Sequence, residues 1–134
     1  MNTRELSTIS RAIDMDAILA YAEITGDFNP IHVDPAFAAT TAMGGVIAHG
    51  TLSMNLIWQL VSTNFGAEAC QGADIEVRFA HPVRVGDHVT AGGVSRSDGR
   101  YDVWVLNQQG VTVIEGTMQP GATPSMSELS EQQS

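Results

Sequence analysis

Cysteine occurs once in the chain, as Cys70, so no internal disulfide can form. A lone cysteine with no base beside it reads as a small apolar side chain, not a nucleophile. Basic residues are also scarce: 6 Lys and Arg stand against 15 Asp and Glu, giving a formal net charge of −9. A protein that grips nucleic acid must offset phosphate charge, so this balance points away from a nucleic-acid partner. It points away from anionic membrane surfaces as well. Long apolar runs are missing too. No segment approaches the roughly 18 apolar residues of a membrane helix, and the opening MNTRELSTISRAIDMDA lacks the apolar core of a signal peptide. A soluble, cytoplasmic protein is expected. Its 134 residues suit one domain with a real core.

The first half of the chain reads as helices joined by loops. Asp14 can cap a helix over 15–25, with Ala17, Ile18, Tyr21 and Ile24 at helical spacing and Gly26 as its stop. Asp34-Pro35 repeats the start signal for a short helix to about Thr41. From His49-Gly50 to Gly66 runs a segment apolar nearly all round, expected to form a buried helix. The second half reads as strands. Asp74–Phe79 alternates strictly, and His88 to about Ser97 follows, with a bulge expected at Gly92-Gly93. Asp98-Gly99 and Gln109-Gly110 are turn signals that bound strands over 101–107 and 111–118. Short hairpins imply antiparallel pairing. Helices first and strands later predict an α+β domain over 1–120, with one helix packed across a curved antiparallel sheet. A strand over 5–12 is weakly signalled. Residues 121–134 are polar and read as a disordered tail.

The chemistry concentrates in Gly26-Asp-Phe-Asn-Pro-Ile-His-Val-Asp34. Asp27 and His32 are five residues apart, which on a helix turns them about 140° from each other and on a strand puts them on opposite faces. They converge only if the chain between them is irregular. Pro30 supplies the irregularity by pushing Asn29 out of helical geometry, and Gly26 permits a sharp entry. A carboxylate and an imidazole held on one target can take a proton from water and deliver one to carbon. His49-Gly50 opens the long helix, and free N–H groups at a helix start suit a developing oxyanion. Gly50 is the candidate donor there. The cluster Asp27, Asn29, His32 and Asp34 begins like a calcium loop, but Ile31 stands at a ligand position and His32 at the turn glycine. The spacing matches no common zinc pattern either, and no metal is expected.

YAEITGDFNPIHVDPAFA (21–38) resembles the signature of the MaoC-like, R-specific enoyl-CoA hydratases: an aromatic, a small residue, G-D-x-N-P-aliphatic-H, then a small residue. The matching positions are Tyr21, Thr25, Gly26, Asp27, Asn29, Pro30, Ile31, His32 and Ala38. VIAHG (46–50) is similar to the family's second motif, and PVRVGDHV (82–89) to a Pro-Val-x-x-Gly-Asp segment, so the resemblance covers roughly residues 10–118. It implies a hot-dog fold and a homodimer whose sheets join edge to edge, with the active sites near the interface. It implies syn hydration of a trans-2-enoyl-CoA to the (3R)-3-hydroxyacyl-CoA, or the reverse. Asp27 and His32 would activate water, and the Gly50 N–H would hold the thioester oxygen. Asn29 and His49 would support the substrate site. Trp58, where some relatives carry a small residue, is expected to shape the acyl pocket. No cofactor is implied, since coenzyme A is part of the substrate. An acyl-CoA thioesterase and a non-catalytic acyl-CoA or acyl-carrier binding module remain as alternatives, because fold does not fix function. Of Arg78, Arg84, Arg96 and Arg100, any could meet CoA phosphates, and none is assigned.

Overall fold

Asp14 is extended, and its Oδ1 accepts the Ala17 N–H at 2.8 Å, satisfying one of the donors that a helix start leaves open. The helix it starts, α1 (Met15–Thr25), stops at Gly26, whose φ of 73° is the left-handed value that a Cβ would strain. The computed structural model of the chain describes residues 3–121. There α1 follows β1 (Ile9–Ala12) and precedes α2 (Pro30–Val33), α3 (Pro35–Ala39) and α4 (Gly50–Phe65). A 3-10 turn at Ala67–Cys70 leads to β2 (Asp74–Phe79), β3 (His88–Ser95), β4 (Tyr101–Leu106) and β5 (Thr112–Gln119).

The five strands form one sheet in the order β1-β3-β4-β5-β2, every neighbouring pair antiparallel. Gly99 (φ 85°) and Gly110 (φ 78°) turn the two hairpins that the sequence marks. The weak N-terminal strand signal is realised as β1 and a separate bridge between Glu5 and Val94. Helix α4 lies across β1, β3 and β4, which is the α+β, hot-dog layout expected. Its Leu56, Ile57, Leu60 and Val61 are almost wholly buried against Val103, Val105 and neighbours. Each such side chain contributes about 1.5–3 kcal/mol by leaving water.

Three expectations need correcting. Helix α4 is not buried all round: Thr51, Asn55, Trp58 and Gln59 are exposed, and Trp58 is 36% accessible. The apolar residues on that side are outnumbered by polar ones at helical spacing, so burial follows one face. Gly92-Gly93 adds no residue against β4, because the β3–β4 register runs unbroken through it; the irregularity lies on its other side, where the pairing slips by one residue between Ile9↔Ala91 and Glu5↔Val94 and the extra residue belongs to the N-terminal strand. The two glycines make room: a Cβ on Gly92 would meet the Trp104 indole at 2.8 Å, and one on Gly93 the Asp102 carbonyl at 2.9 Å. Finally, Gly121, where the tail was expected to begin, is buried and donates its N–H to the Ala69 carbonyl at 2.7 Å. The rest of that expectation, residues 122–134, lies outside the described residues. Among the described residues no helix is long and apolar enough to cross a membrane.

Candidate active site

The segment after α1 is fixed by a chain of local hydrogen bonds. Thr25 Oγ1 donates to the Tyr21 carbonyl (2.9 Å) and accepts the Asp27 N–H (3.3 Å). Asp27 Oδ1 accepts the Asn29 N–H, and Asn29 Oδ1 accepts the Ile31 N–H, both at 3.2 Å. Asn29 is extended at ψ 130°, as the following proline demands, and caps α2. The segment is thus less irregular than the sequence implies: its second half is a single helical turn carrying His32. One turn is too short to show a period, so sequence pattern alone does not reveal it.

These bonds leave one carboxylate oxygen uncommitted. Asp27 Oδ2 faces His32 Nε2 at 4.0 Å, with the Asp27 side chain 50% exposed and that of His32 13%. The separation is too long for a direct hydrogen bond and suits a bridging water. The tautomer of His32 follows from its other partner. His32 Nδ1 lies 2.8 Å from the Ile47 carbonyl, which can only accept, so Nδ1 carries the proton and Nε2 presents a lone pair toward Asp27. Ile47 in turn donates its N–H to the Ile31 carbonyl at 3.2 Å, locking the two segments together.

His49 sits behind this pair. Its Nε2 donates to the Asp27 carbonyl at 2.9 Å, and its ring stacks on that of His32 at 4.0 Å. Asp27, His32 and His49 bring potential ligand atoms within 4.8 Å of one another. With the two imidazoles only 27° from parallel, their in-plane lone pairs do not converge on one ion, and one nitrogen of each ring is already a donor. Tyr21 leans on His49 at 5.0 Å and donates its hydroxyl to Thr51 Oγ1 at 2.6 Å, tying α1 to the first turn of α4. Tyr21→Phe is expected to cost about 0.5–1.5 kcal/mol in urea denaturation. A change below about 0.3 kcal/mol would show that this bond adds nothing to the native state.

A cavity of about 330 Å³ opens beside His32, lined by Ala48, Gly50, Ser53, Phe79 and Val113 among others. Gly50 is the first residue of α4, and its N–H has no acceptor among the described residues. Phe79, at the end of β2, covers it: a Cβ on Gly50 would meet the phenyl ring at 3.2 Å. Asp27, His32, His49 and Gly50 therefore come together, with Asn29 holding the loop. Trp58 does not join them, since it lies eight residues past Gly50 on the exposed side of α4 and outside the cavity lining. Ser53 and Phe79 were missed from the sequence, as was His81 on the cavity wall. The signal for Ser53 was legible: it is the one hydroxyl on the buried stripe of α4.

A much larger groove of about 1070 Å³ lies on the sheet, lined by Trp104, Leu106, Arg78 and Glu115 among others, away from this chemistry. Arg78 pairs with Glu115, Arg96 with Asp98 and Asp102, and Arg100 with Asp74. Arg84 has no carboxylate partner among the described residues and donates to the Met43 carbonyl.

The family model of the MaoC-like domain matches residues 2–116. The chain is 39% identical over 83 residues to an (R)-specific enoyl-CoA hydratase of Aeromonas caviae, covering 62% of each protein. It is 37% identical over 81 residues to a 3-hydroxybutyryl-CoA dehydratase of Methylorubrum extorquens, covering 60% of this chain and 52% of that one. The matched stretch thus spans less than two thirds of these relatives' own lengths. Among solved structures, the unliganded R-hydratase PhaJ1 from Pseudomonas aeruginosa superposes with a TM-score of 0.75 at 25% identity, covering 92% of this chain and 90% of that one. The (R)-hydratase of A. caviae gives 0.72 at 30% identity over 87% and 93%. Sequence signature, fold and loop geometry agree, and the chain belongs to the MaoC-like domain family.

Proposed function

We propose that this protein is a hydro-lyase that adds water across the double bond of a trans-2-enoyl-CoA to give the (3R)-3-hydroxyacyl-CoA, or runs the reverse dehydration. The observation that carries the reading is the pair Asp27 Oδ2 and His32 Nε2, facing each other at 4.0 Å beside the open Gly50 N–H. A water between them donates one hydrogen to each. The pair removes one proton as the oxygen adds to C3, and the same pair returns a proton to C2. Meanwhile the Gly50 N–H, at the positive end of α4, receives the charge that gathers on the thioester oxygen. Every step is proton transfer and hydrogen bonding, so we propose neither a metal nor a redox cofactor. Names of relatives at 39% and 37% identity support the thioester class.

The same reading includes a homodimer in the cytoplasm. Among the described residues β2 pairs on one side only, and the Phe79 at its end is 55% exposed. An open edge of this kind is a template for a second strand. The 9 units of net negative charge argue against nucleic-acid and membrane partners.

Crotonyl-CoA separates this reading from a thioesterase or a binding module. The expected result is loss of enoyl absorbance with no free thiol. Thiol release with the enoyl group intact would make the protein a thioesterase, and binding with no turnover would make it a carrier or sensor.

A further inference from the structure

The cavity wall contains a serine that the mechanism above leaves idle. Ser53 is 1% exposed, and its Oγ has no hydrogen-bond partner among the described residues. Buried hydroxyls in folded proteins are nearly always partnered, so a hydroxyl with no protein partner is met by a water or a ligand. Ser53 is one of the residues that wall the same cavity as Gly50 and His32. Its neighbours along the buried face of α4, Leu52, Leu56 and Ile57, are apolar, so an alanine would satisfy packing alone. Ser53 follows Gly50 by three residues on α4 and His49 by four. Helical side chains lean toward the N-terminus and cover the turn before their own Cα. Its Oγ is therefore carried back over the first turn, where the Gly50 N–H points.

We propose that Ser53 is a second oxyanion donor: its hydroxyl donates to the thioester oxygen beside the Gly50 N–H while charge builds there. The inference rests on the hydratase reading and deepens it. Two donors aimed at one oxygen stabilise a transient negative charge more than the neutral carbonyl of the bound substrate. Ser53 thus acts on turnover more than on binding. Among the described residues the protein offers this hydroxyl no acceptor, and the thioester oxygen would supply one.

Ser53→Ala tests this with steady-state kinetics on crotonyl-CoA and thermal denaturation of the same samples. Losing one neutral donor is expected to lower kcat about tenfold with KM changed less than about threefold. The Tm is expected to stay level or rise, because the variant removes an unpaired buried polar atom. Ser53→Cys, near in size but a weak donor, is expected to fall between the two. A second readout is the red shift of enoyl absorbance when crotonyl-CoA binds the Asp27→Asn variant. Adding Ser53→Ala is expected to shrink that shift, since it reports polarisation of the carbonyl. A packing role alone would lower Tm and leave kcat and the shift untouched, and that outcome overturns the proposal. If the wild type hydrates crotonyl-CoA and Ser53→Ala does so within twofold, Ser53 is not a donor and the hydratase reading stands. If the wild type hydrates no enoyl-CoA, both fall together.

Discussion

Asp27→Asn lowers turnover of a trans-2-enoyl-CoA by about 10²–10⁴-fold and leaves the fold intact, the range expected when a positioned acid–base group is lost. The variant is nearly isosteric. Its amide oxygen can still accept the Asn29 N–H that Asp27 Oδ1 holds at 3.2 Å, so the loop keeps its shape. What disappears is the charged oxygen that faces His32 Nε2 at 4.0 Å. His32→Ala should show a similar kinetic loss with a further small structural cost. Its Nδ1–H satisfies the Ile47 carbonyl, and removing it leaves that carbonyl unpaired, worth about 1 kcal/mol. Circular dichroism and urea midpoints on the same preparations separate the two effects. A variant at either position that keeps near-normal rates on every enoyl-CoA tried would remove that residue from the mechanism.

The largest stability effect is expected at Gly116. It pairs with Val77 of the edge strand and Val103 on the other side. A Cβ there would overlap the Glu76 carbonyl oxygen and lie 2.7 Å from the Val77 Cα. Both are backbone atoms and cannot swing aside as a side chain can. Gly116→Ala therefore has to push β2 off β5, at a cost of about 3 kcal/mol or more, the upper range for overpacking. Because β2 ends in Phe79, which covers Gly50, activity should fall with stability. Gly45→Ala is the control: its Cβ would find only Arg84 Nη1, at 4.0 Å, and the change should stay within about 0.5 kcal/mol. Urea denaturation of the two variants side by side checks both values. Equal stabilities would mean that β2 sits farther from β5 than the close approach requires.

What the sequence revealed and what it hid divide along one line. Features decided within a few residues were legible: the Asp14 cap, the Gly26 and Gly66 stops, the Asn29-Pro30 kink and the two glycine turns. Features decided by distant partners were not. Gly92-Gly93 signals an irregular pairing, but not that the β3–β4 register would place Trp104 over Gly92. Trp58 reads as core by composition, but which side of α4 meets the sheet depends on where β3 and β4 run. That Asp27 and His32 could converge was legible in their spacing and the proline between them, while their roles came from the resemblance and the second motif at 46–50. The cavity wall did not reduce to spacing: Phe79 reaches Gly50 from a strand on the sheet edge, and no local pattern announces that meeting.

The central claim is that one pair, Asp27 and His32, handles both the water and the returning proton. Side chains 4.0 Å apart cannot act on opposite faces of a planar enoyl group, so hydroxyl and hydrogen must add to the same face. Hydration of crotonyl-CoA in D₂O, with the C2–C3 proton couplings of the product read by NMR, tests this directly. The account predicts a single diastereomer, the one formed by syn addition. Anti addition, or deuterium scrambled over both positions at C2, would contradict it.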